Sequence, residues 1–251
     1  MKKLKILMAS SLLLSCSLTF AGEVNIAVAG NFFRPLQALA RDFEYQSGDK
    51  VNIAVGSSGK LYAQISNGAP FEIFLSADQQ RAAKLVENRL AIKGTQYTYA
   101  KGKLVLWSSD PNVVDNQGKR LISPHLKRLA IANPKVAPYG EEALSVLKNL
   151  GIYEQLQEKI VYGQSIGQTF QYVSSNSIKQ GIIALSQVTR GGEINEGSAW
   201  IIPSDLYQPI QQDAVLLNKG KSNPVAIAFL AYLKTADALK IIHSFGYEVD
   251  V

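Results

Sequence analysis

Cysteine and histidine are scarce in this chain. Of its 251 residues only Cys16 is a cysteine, and the two histidines, His125 and His243, lie far apart in the sequence. A disulfide framework, a zinc cluster and a cysteine nucleophile are therefore excluded from everything that follows Cys16. We interpret the histidines as surface or satisfied side chains rather than a metal pair, and we expect neither a cofactor nor a metal coordinated by the protein.

The chain also lacks a concentrated charge of either sign. Its formal net charge is +6, and removal of Lys2, Lys3 and Lys5 with the first segment would leave +3. The remaining charges are interspersed without a polybasic run, which argues against nucleic acid as a partner. A modest positive balance can assist the approach of an anion without identifying it.

Only the N-terminus carries a long apolar run. Residues 1–5 are basic, residues 6–20 are apolar but short for a membrane span, and a small residue follows at Ala21. This order is typical of a secretory signal peptide, which we assign to residues 1–21. The alternative is a lipoprotein cleavage before Cys16, although the motif there is a loose match. Export without cysteine fits a bacterial periplasm.

Strand-like runs alternate with helical patterns along the rest of the chain. The first series of strand-like runs comprises residues 24–29, 51–55 and 72–76. The second series begins near Lys103 and comprises residues 104–107, 129–132, 159–162 and 181–185. This rhythm predicts an α/β fold with mostly parallel sheets and helices on both faces.

The two series predict two lobes. We expect a first lobe formed by residues 22–98 plus 204–251 and a second lobe formed by residues 99–203. The chain would cross between them near residues 97–101 and 200–204, and these crossings would act as a hinge.

Four short polar turns each follow a strand-like run and precede a helix. They are Ala29-Gly30-Asn31-Phe32, Val55-Gly56-Ser57-Ser58-Gly59, Ala137-Pro138-Tyr139-Gly140 and Gly163-Gln164-Ser165-Ile166-Gly167. The first turn of a helix exposes N–H groups without partners and carries a partial positive charge. Because all four turns fall at the carboxyl ends of strands, where such sheets bind ligands, we predict one site for a small oxyanion.

Several segments resemble the periplasmic molybdate-binding proteins of ABC transporters, the ModA family. They are residues 28–32, residues 56–61, the "Gly68-Ala69-Pro70 … Ser76-Ala77-Asp78" stretch, residues 137–140 and residues 181–187. The resemblance runs in order over nearly the whole mature chain. It implies a two-lobed periplasmic-binding-protein type II fold with molybdate or tungstate in the cleft. It also implies a monomeric receptor, not an enzyme, that serves the permease and ATPase of an importer.

The same resemblance implies the ligand-binding residues. They are Asn31, Ser58, Tyr139 and Ile166, with Gly30 and Ser57 beside them. Ile166 would contribute its backbone amide. Some family members have a tyrosine ligand where this chain has Ala184, whose side chain cannot donate. Either the Tyr139 hydroxyl or the Asn31 amide would then compensate, or the coordination differs.

A site of neutral donors suits particular anions. Molybdate, tungstate and sulfate are fully deprotonated at neutral pH and only accept hydrogen bonds. Hydrogen phosphate carries a proton that needs an acceptor, and leaving it unpaired costs about 1–3 kcal/mol. Glu141 and Glu142 lie close to the third turn, and we expect both to point outward.

Two alternatives remain open from the residues themselves. A receptor for another small oxyanion or acid would use the same turns, since the sequence does not give the cavity radius. An exported serine hydrolase would use Ser57 and Lys60, which match a Ser-x-x-Lys motif. Those hydrolases also carry a Lys-Thr-Gly motif, which is absent here. Lys93-Gly94-Thr95 has the same three residue types in a different order.

Overall fold

The computed structural model describes residues 21–249. The predicted signal peptide up to residue 20, with Cys16, therefore lies outside the described residues. The strands are β1 Glu23–Ala29, β2 Lys50–Gly56, β3 Ile73–Leu75, β4 Tyr97–Gly102, β5 Leu104–Ser108, β6 Leu129–Ala132, β7 Ile160–Gly163, β8 Gly181–Ala184, β9 Thr189–Arg190, β10 Glu193–Ile194, β11 Ser198–Ile201 and β12 Ile210–Leu216. The α-helices are α1 Phe33–Ser47, α2 Ser58–Ser66, α3 Gln79–Glu87, α4 Pro138–Asn149, α5 Tyr153–Leu156, α6 Ile166–Ser174, α7 Pro224–Tyr232 and α8 Ala236–Ser244.

The first sheet has the strand order β2-β1-β3-β12-β4. Strand β1 is parallel to β2 and β3, whereas β12 is antiparallel to β3 and β4. Because successive side chains point to opposite faces, Ile26 packs in the cluster that contains α1, α7 and α8, and Ala27 packs in the cluster that contains α2 and α3. Both faces of this sheet are thus covered.

The second sheet has the order β11-β5-β8-β6-β7. Strand β6 is parallel to β7 and β8, while β5 is antiparallel to β8 and β11. Leu104 and Ile131 pack with α4 and α5 on one face, and Ala130 packs with α6 on the other. This sheet repeats the layered arrangement of the first.

The predicted α/β architecture with helices on both faces is confirmed, but the sheets are mixed rather than mostly parallel. Each sheet contains two parallel and two antiparallel pairings. The antiparallel strands β4, β5, β11 and β12 flank the passages between the sheets. Parallel pairing requires a long crossover such as a helix, and no α-helix lies between β4 and β5 or between β11 and β12.

The chain passes between the sheets twice. Lys103 alone separates β4 from β5, and the return runs from the end of β11 to the start of β12. Residues 97–101, interpreted from the sequence as a crossing, form most of β4 immediately before the first passage. Within residues 21–249 no helix has both the length and the apolarity that a bilayer crossing requires.

Candidate anion-binding site

A small cavity lies where the four polar turns meet. Its lining residues are the six predicted ones, Gly30, Asn31, Ser57, Ser58, Tyr139 and Ile166, together with Ala29, Ala77, Ala137 and Pro138. The first and second turns belong to the first sheet, and the third and fourth turns belong to the second sheet. The structure therefore brings the predicted residues together, while their contact with a ligand stays a prediction.

Ser57 and Ser58 are adjacent in the second turn, and their hydroxyls accept hydrogen bonds from different backbone amides. Ser57 is the N-cap of α2, and its hydroxyl accepts a hydrogen bond from the Lys60 backbone N–H at 3.4 Å. The Ser58 hydroxyl accepts from the Ala77 N–H at 2.9 Å. Because the Ser58 oxygen acts as the acceptor in that bond, its own proton is free to be donated. Ser58 is only 1% exposed, so that donor is withheld from bulk water.

The third and fourth turns supply backbone donors. Ser165 caps α6 by accepting from Gln168 N at 3.1 Å, and Ile166 is the first residue of that helix. Helix α4 starts at Pro138 with no side-chain cap. The first N–H groups of a helix have no partner within it, so the amides of Tyr139 and Ile166 are available to a ligand.

Two glycines let the turns from opposite sheets approach each other. The Gly59 N–H donates to the carbonyl of Val136 at 3.0 Å, and a Cβ on Gly59 would lie 3.0 Å from Val136 Cα. A Cβ on Gly30 would lie 3.2 Å from the Gly167 nitrogen. A side chain at either position would press on backbone that cannot easily yield, so these glycines allow the cavity to be small.

The Tyr139 hydroxyl forms a hydrogen bond with Gln212, which does not line the cavity. It accepts from Gln212 Nε2 at 3.1 Å and lies against Gly102, where any Cβ would overlap it. Burial raises the pKa of Tyr139 well above its ordinary value, so the hydroxyl keeps its proton. Ala184 is buried at the end of β8, where its amide donates to Gln187 Oε1 at 3.1 Å. Of the two side chains expected to compensate for Ala184, Tyr139 thus has its hydroxyl hydrogen-bonded to Gln212.

The Asn31 side chain belongs to a buried polar network. Its Nδ2 donates to Gln212 Oε1 at 2.6 Å and to the Tyr247 hydroxyl at 2.9 Å. Its backbone carbonyl accepts from the Ser186 hydroxyl at 2.9 Å. Sequence reasoning missed Gln212 and Tyr247, because neither belongs to a motif. The available signal for Gln212 was the polar run 211–213 at the start of an otherwise apolar strand.

No carboxylate lines the cavity within residues 21–249. Glu141 is exposed, as expected. Glu142 is half-buried away from the cavity, where its Oε2 accepts from Gln208 N at 2.8 Å and desolvation raises its pKa. In the same described range no group of three or more His, Cys, Asp or Glu is placed to hold a metal ion.

Comparison with known proteins first defines the class. A sequence profile described as bacterial extracellular solute-binding protein matches residues 24–248. The molybdate-binding protein ModA of Azotobacter vinelandii is 48% identical over 235 residues, which is 94% of this chain and 93% of that protein. The ModA of Rhodobacter capsulatus is 48% identical over 227 residues, which is 90% of this chain and 88% of that protein.

A solved structure agrees with the sequence relatives. The Azotobacter vinelandii periplasmic molybdate-binding protein superposes with a TM-score of 0.88 and 40% identity, covering 91% of this chain and 100% of that one. The chain belongs to the ModA family of bacterial extracellular solute-binding proteins. These are transport components and not enzymes, so the serine hydrolase alternative is set aside.

The hydrogen bond between Gln212 and the Tyr139 hydroxyl can be tested by substitution. Tyr139→Phe should lower the free energy of unfolding by about 1–3 kcal/mol, because Gln212 Nε2 would stay buried without its acceptor. Urea unfolding followed by circular dichroism measures the change. Tyr45→Phe is the control, since Tyr45 is 92% exposed and its loss should stay within about 0.5 kcal/mol. Equal losses for the two variants would contradict the assigned role of the hydroxyl.

Proposed function

We propose that this protein is the receptor of an ABC importer and that it captures molybdate, or tungstate, as an intact oxyanion. The observation that carries the proposal is the cavity at four converging turns, which offers amides and hydroxyls and no carboxylate. Helix starts attract anions through unpaired N–H groups and the helix dipole. The relatives named as molybdate-binding proteins support the choice of ligand.

The donor set distinguishes classes of anion by their protons. A fully deprotonated dianion accepts every hydrogen bond that the cavity offers. Hydrogen phosphate would bury its own donor without an acceptor, which costs about 1–3 kcal/mol. Sulfate has the same charge and the same acceptor character as molybdate, so selection between them rests on the size of the cavity.

Each predicted residue has a proposed part in holding the anion. Ser58 donates through its hydroxyl, and Asn31 through its side-chain amide. Tyr139 and Ile166 donate through their backbone amides. Gly30 admits the anion close to the backbone, and Ser57 keeps the start of α2 in place. Hydrogen bonds to a charged acceptor are stronger than neutral ones, so a few donors suffice for tight binding.

We also propose that the two lobes close on the anion as a hinge protein does. The lobes are those predicted from the sequence, residues 22–98 plus 204–251 and residues 99–203. Two contacts would hold the closed form: Arg34 Nη1 donates to the Gln187 carbonyl at 2.7 Å, and the Ser186 hydroxyl donates to the Asn31 carbonyl at 2.9 Å. The closed form is the one that the permease would recognise.

The cellular setting follows from the same proposal. Export by a signal peptide over residues 1–21 would release the protein into the periplasm. There it acts as a monomer that delivers the anion to a membrane permease powered by an ATPase. Size-exclusion chromatography with light scattering measures the molar mass in solution and so tests the monomeric state. Mass spectrometry of the secreted protein should give the mass of a chain that begins at Gly22, which tests the cleavage site.

Calorimetry tests the ligand. The purified mature protein should bind molybdate and tungstate one to one and far more tightly than sulfate or phosphate. The cavity without a carboxylate disfavours phosphate, and the relatives named as molybdate-binding proteins support the preference over sulfate. Equal affinities for sulfate and molybdate would contradict the selectivity, and tight binding of a different small acid would favour the alternative receptor.

Substitutions at the cavity test the assignment of donors. Ser58→Ala should weaken molybdate binding by about 10- to 150-fold, since it removes a charge-assisted hydrogen bond of about 1.5–3 kcal/mol. Ile166→Ala should be mild because the backbone donor survives. Calorimetric titration of both variants gives the comparison. A larger loss for Ile166→Ala than for Ser58→Ala would show that the residues have been assigned wrongly.

Small-angle scattering tests the closure. The radius of gyration should fall when saturating molybdate is added, because the ligand is held by donors from both lobes and stabilises the closed form. Arg34→Ala removes one contact of the closed form and should make the fall in radius on adding molybdate smaller without touching the cavity. Identical profiles with and without molybdate would rule out hinge closure.

A further inference from the structure

One acceptor in the donor-lined cavity has no partner. Asn31 is 1% exposed, and its Oδ1 makes no hydrogen bond with any described residue. Its Nδ2, in contrast, is fully used by Gln212 and Tyr247. An unpartnered buried acceptor is costly, and this one belongs to a residue that lines the proposed anion cavity. The Asn31 amide is therefore turned the wrong way for a deprotonated oxyanion.

A half-turn of Asn31 alone does not resolve the conflict. It would place Asn31 Oδ1 at about the present 2.6 Å separation from Gln212 Oε1, and two acceptors repel at that distance. Gln212 holds the Asn31 NH₂ in its present direction because Gln212 Oε1 faces it. The orientation of one amide thus depends on the orientation of the other.

A half-turn of both amides leaves only the Asn31 N–H groups for the anion to satisfy, with the Tyr247 hydroxyl changing from acceptor to donor toward Asn31 Oδ1. Gln212 Nε2 would then donate to Asn31 Oδ1 and to the Tyr99 hydroxyl, which lies 3.1 Å from the present Oε1. Tyr99 keeps an acceptor in the Ser76 carbonyl at 3.3 Å. The Tyr139 hydroxyl, 3.1 Å from the present Gln212 Nε2, would change from acceptor to donor.

The tyrosine hydroxyls make this exchange possible. A hydroxyl both donates and accepts, so Tyr99, Tyr139 and Tyr247 can follow either orientation of the amides without moving. Burial raises the pKa of all three, so each retains the proton that it needs to reverse its role. After the exchange, Asn31 Nδ2 occupies the place of the unpartnered oxygen.

We propose that Asn31 and Gln212 form a coupled pair of amides that turn together, so that Gln212, which does not line the cavity, decides whether Asn31 presents a donor or an acceptor to the anion. The proposal rests on the proposed oxyanion-binding function. Gln212 is a positioning residue for Asn31, and the pair selects against anions that carry a proton. In the donor orientation neither Asn31 nor any carboxylate of a lining residue offers an acceptor for that proton.

Gln212→Glu locks the pair in the wrong orientation. Asn31 Nδ2 and the hydroxyls of Tyr99 and Tyr139 surround this position and can donate to a carboxylate, which favours its ionised form. A carboxylate only accepts, so it holds the Asn31 NH₂ toward itself and leaves Asn31 Oδ1 facing the anion. Molybdate binding should weaken by about 10- to 150-fold, the loss of one hydrogen bond to a charged group. Gln211→Glu is the matched control: it adds the same charge one residue earlier, on the other face of β12, and should leave the affinity within about twofold.

A double-mutant cycle separates coupling from charge and packing. In an Asn31→Ala background, Gln212→Glu should cost less than about threefold, because there is no amide left to orient. An equal loss in both backgrounds, or an equal loss for Gln211→Glu, would overturn the proposal. If Gln212→Glu does not fold, the same cycle with Gln212→Met decides: loss only when Asn31 is present supports the coupling, and additive losses refute it.

The ratio of the affinities for molybdate and phosphate is a further measurement, which a general disruption of the cavity would leave unchanged. With Asn31 Oδ1 facing the ligand, Gln212→Glu provides an acceptor for a protonated anion. The ratio of the molybdate affinity to the inorganic phosphate affinity should therefore fall by at least about tenfold. Loss of both affinities by the same factor would overturn the proposal. Failure of the unaltered protein to bind molybdate would instead refute the proposed function.

Discussion

A buried dianion must find a hydrogen-bond donor for each exposed lone pair, because an unpaired charge is costly to bury. The proposed site meets this requirement with groups that carry no formal charge: Ser58 and the first amides of α4 and α6. Those amides are free because a helix cannot satisfy its own first turn. Three features of the fold bring such groups to one point. They are the positions of the strands, the helix starts and the glycines Gly30 and Gly59, which allow the turns to approach closely.

The two-sheet architecture supplies that convergence. Each turn follows a strand and opens a helix, so its amides point beyond the carboxyl edge of its own sheet. One sheet alone would surround the anion on one side only. The passages at Lys103 and between β11 and β12 set the second sheet opposite the first. They also introduce the antiparallel strands that make both sheets mixed.

A second layer of polar groups determines what the first layer can do. Gln212 and Tyr247 touch Asn31, and Gln212 also touches Tyr139. A buried network of this kind is stable only when each member is paired, and the unpartnered Asn31 oxygen is the one side-chain atom of Asn31 that this network leaves without a partner. In the proposed mechanism, affinity and selectivity are shared between the residues that line the cavity and those that orient them.

The resemblance to a known family implied six of the ten residues that line the cavity. The sequence by itself predicted export and determined the α/β rhythm and the four turns. These follow from local physics: the caps at Ser57 and Ser165 each act on an amide three residues along the chain. Only the tertiary structure decided the direction of the Tyr139 hydroxyl and the pairing of Asn31 with Gln212. Those two amides are separated by 181 positions, and no local pattern encodes a contact that forms only after the last strand returns to the first sheet.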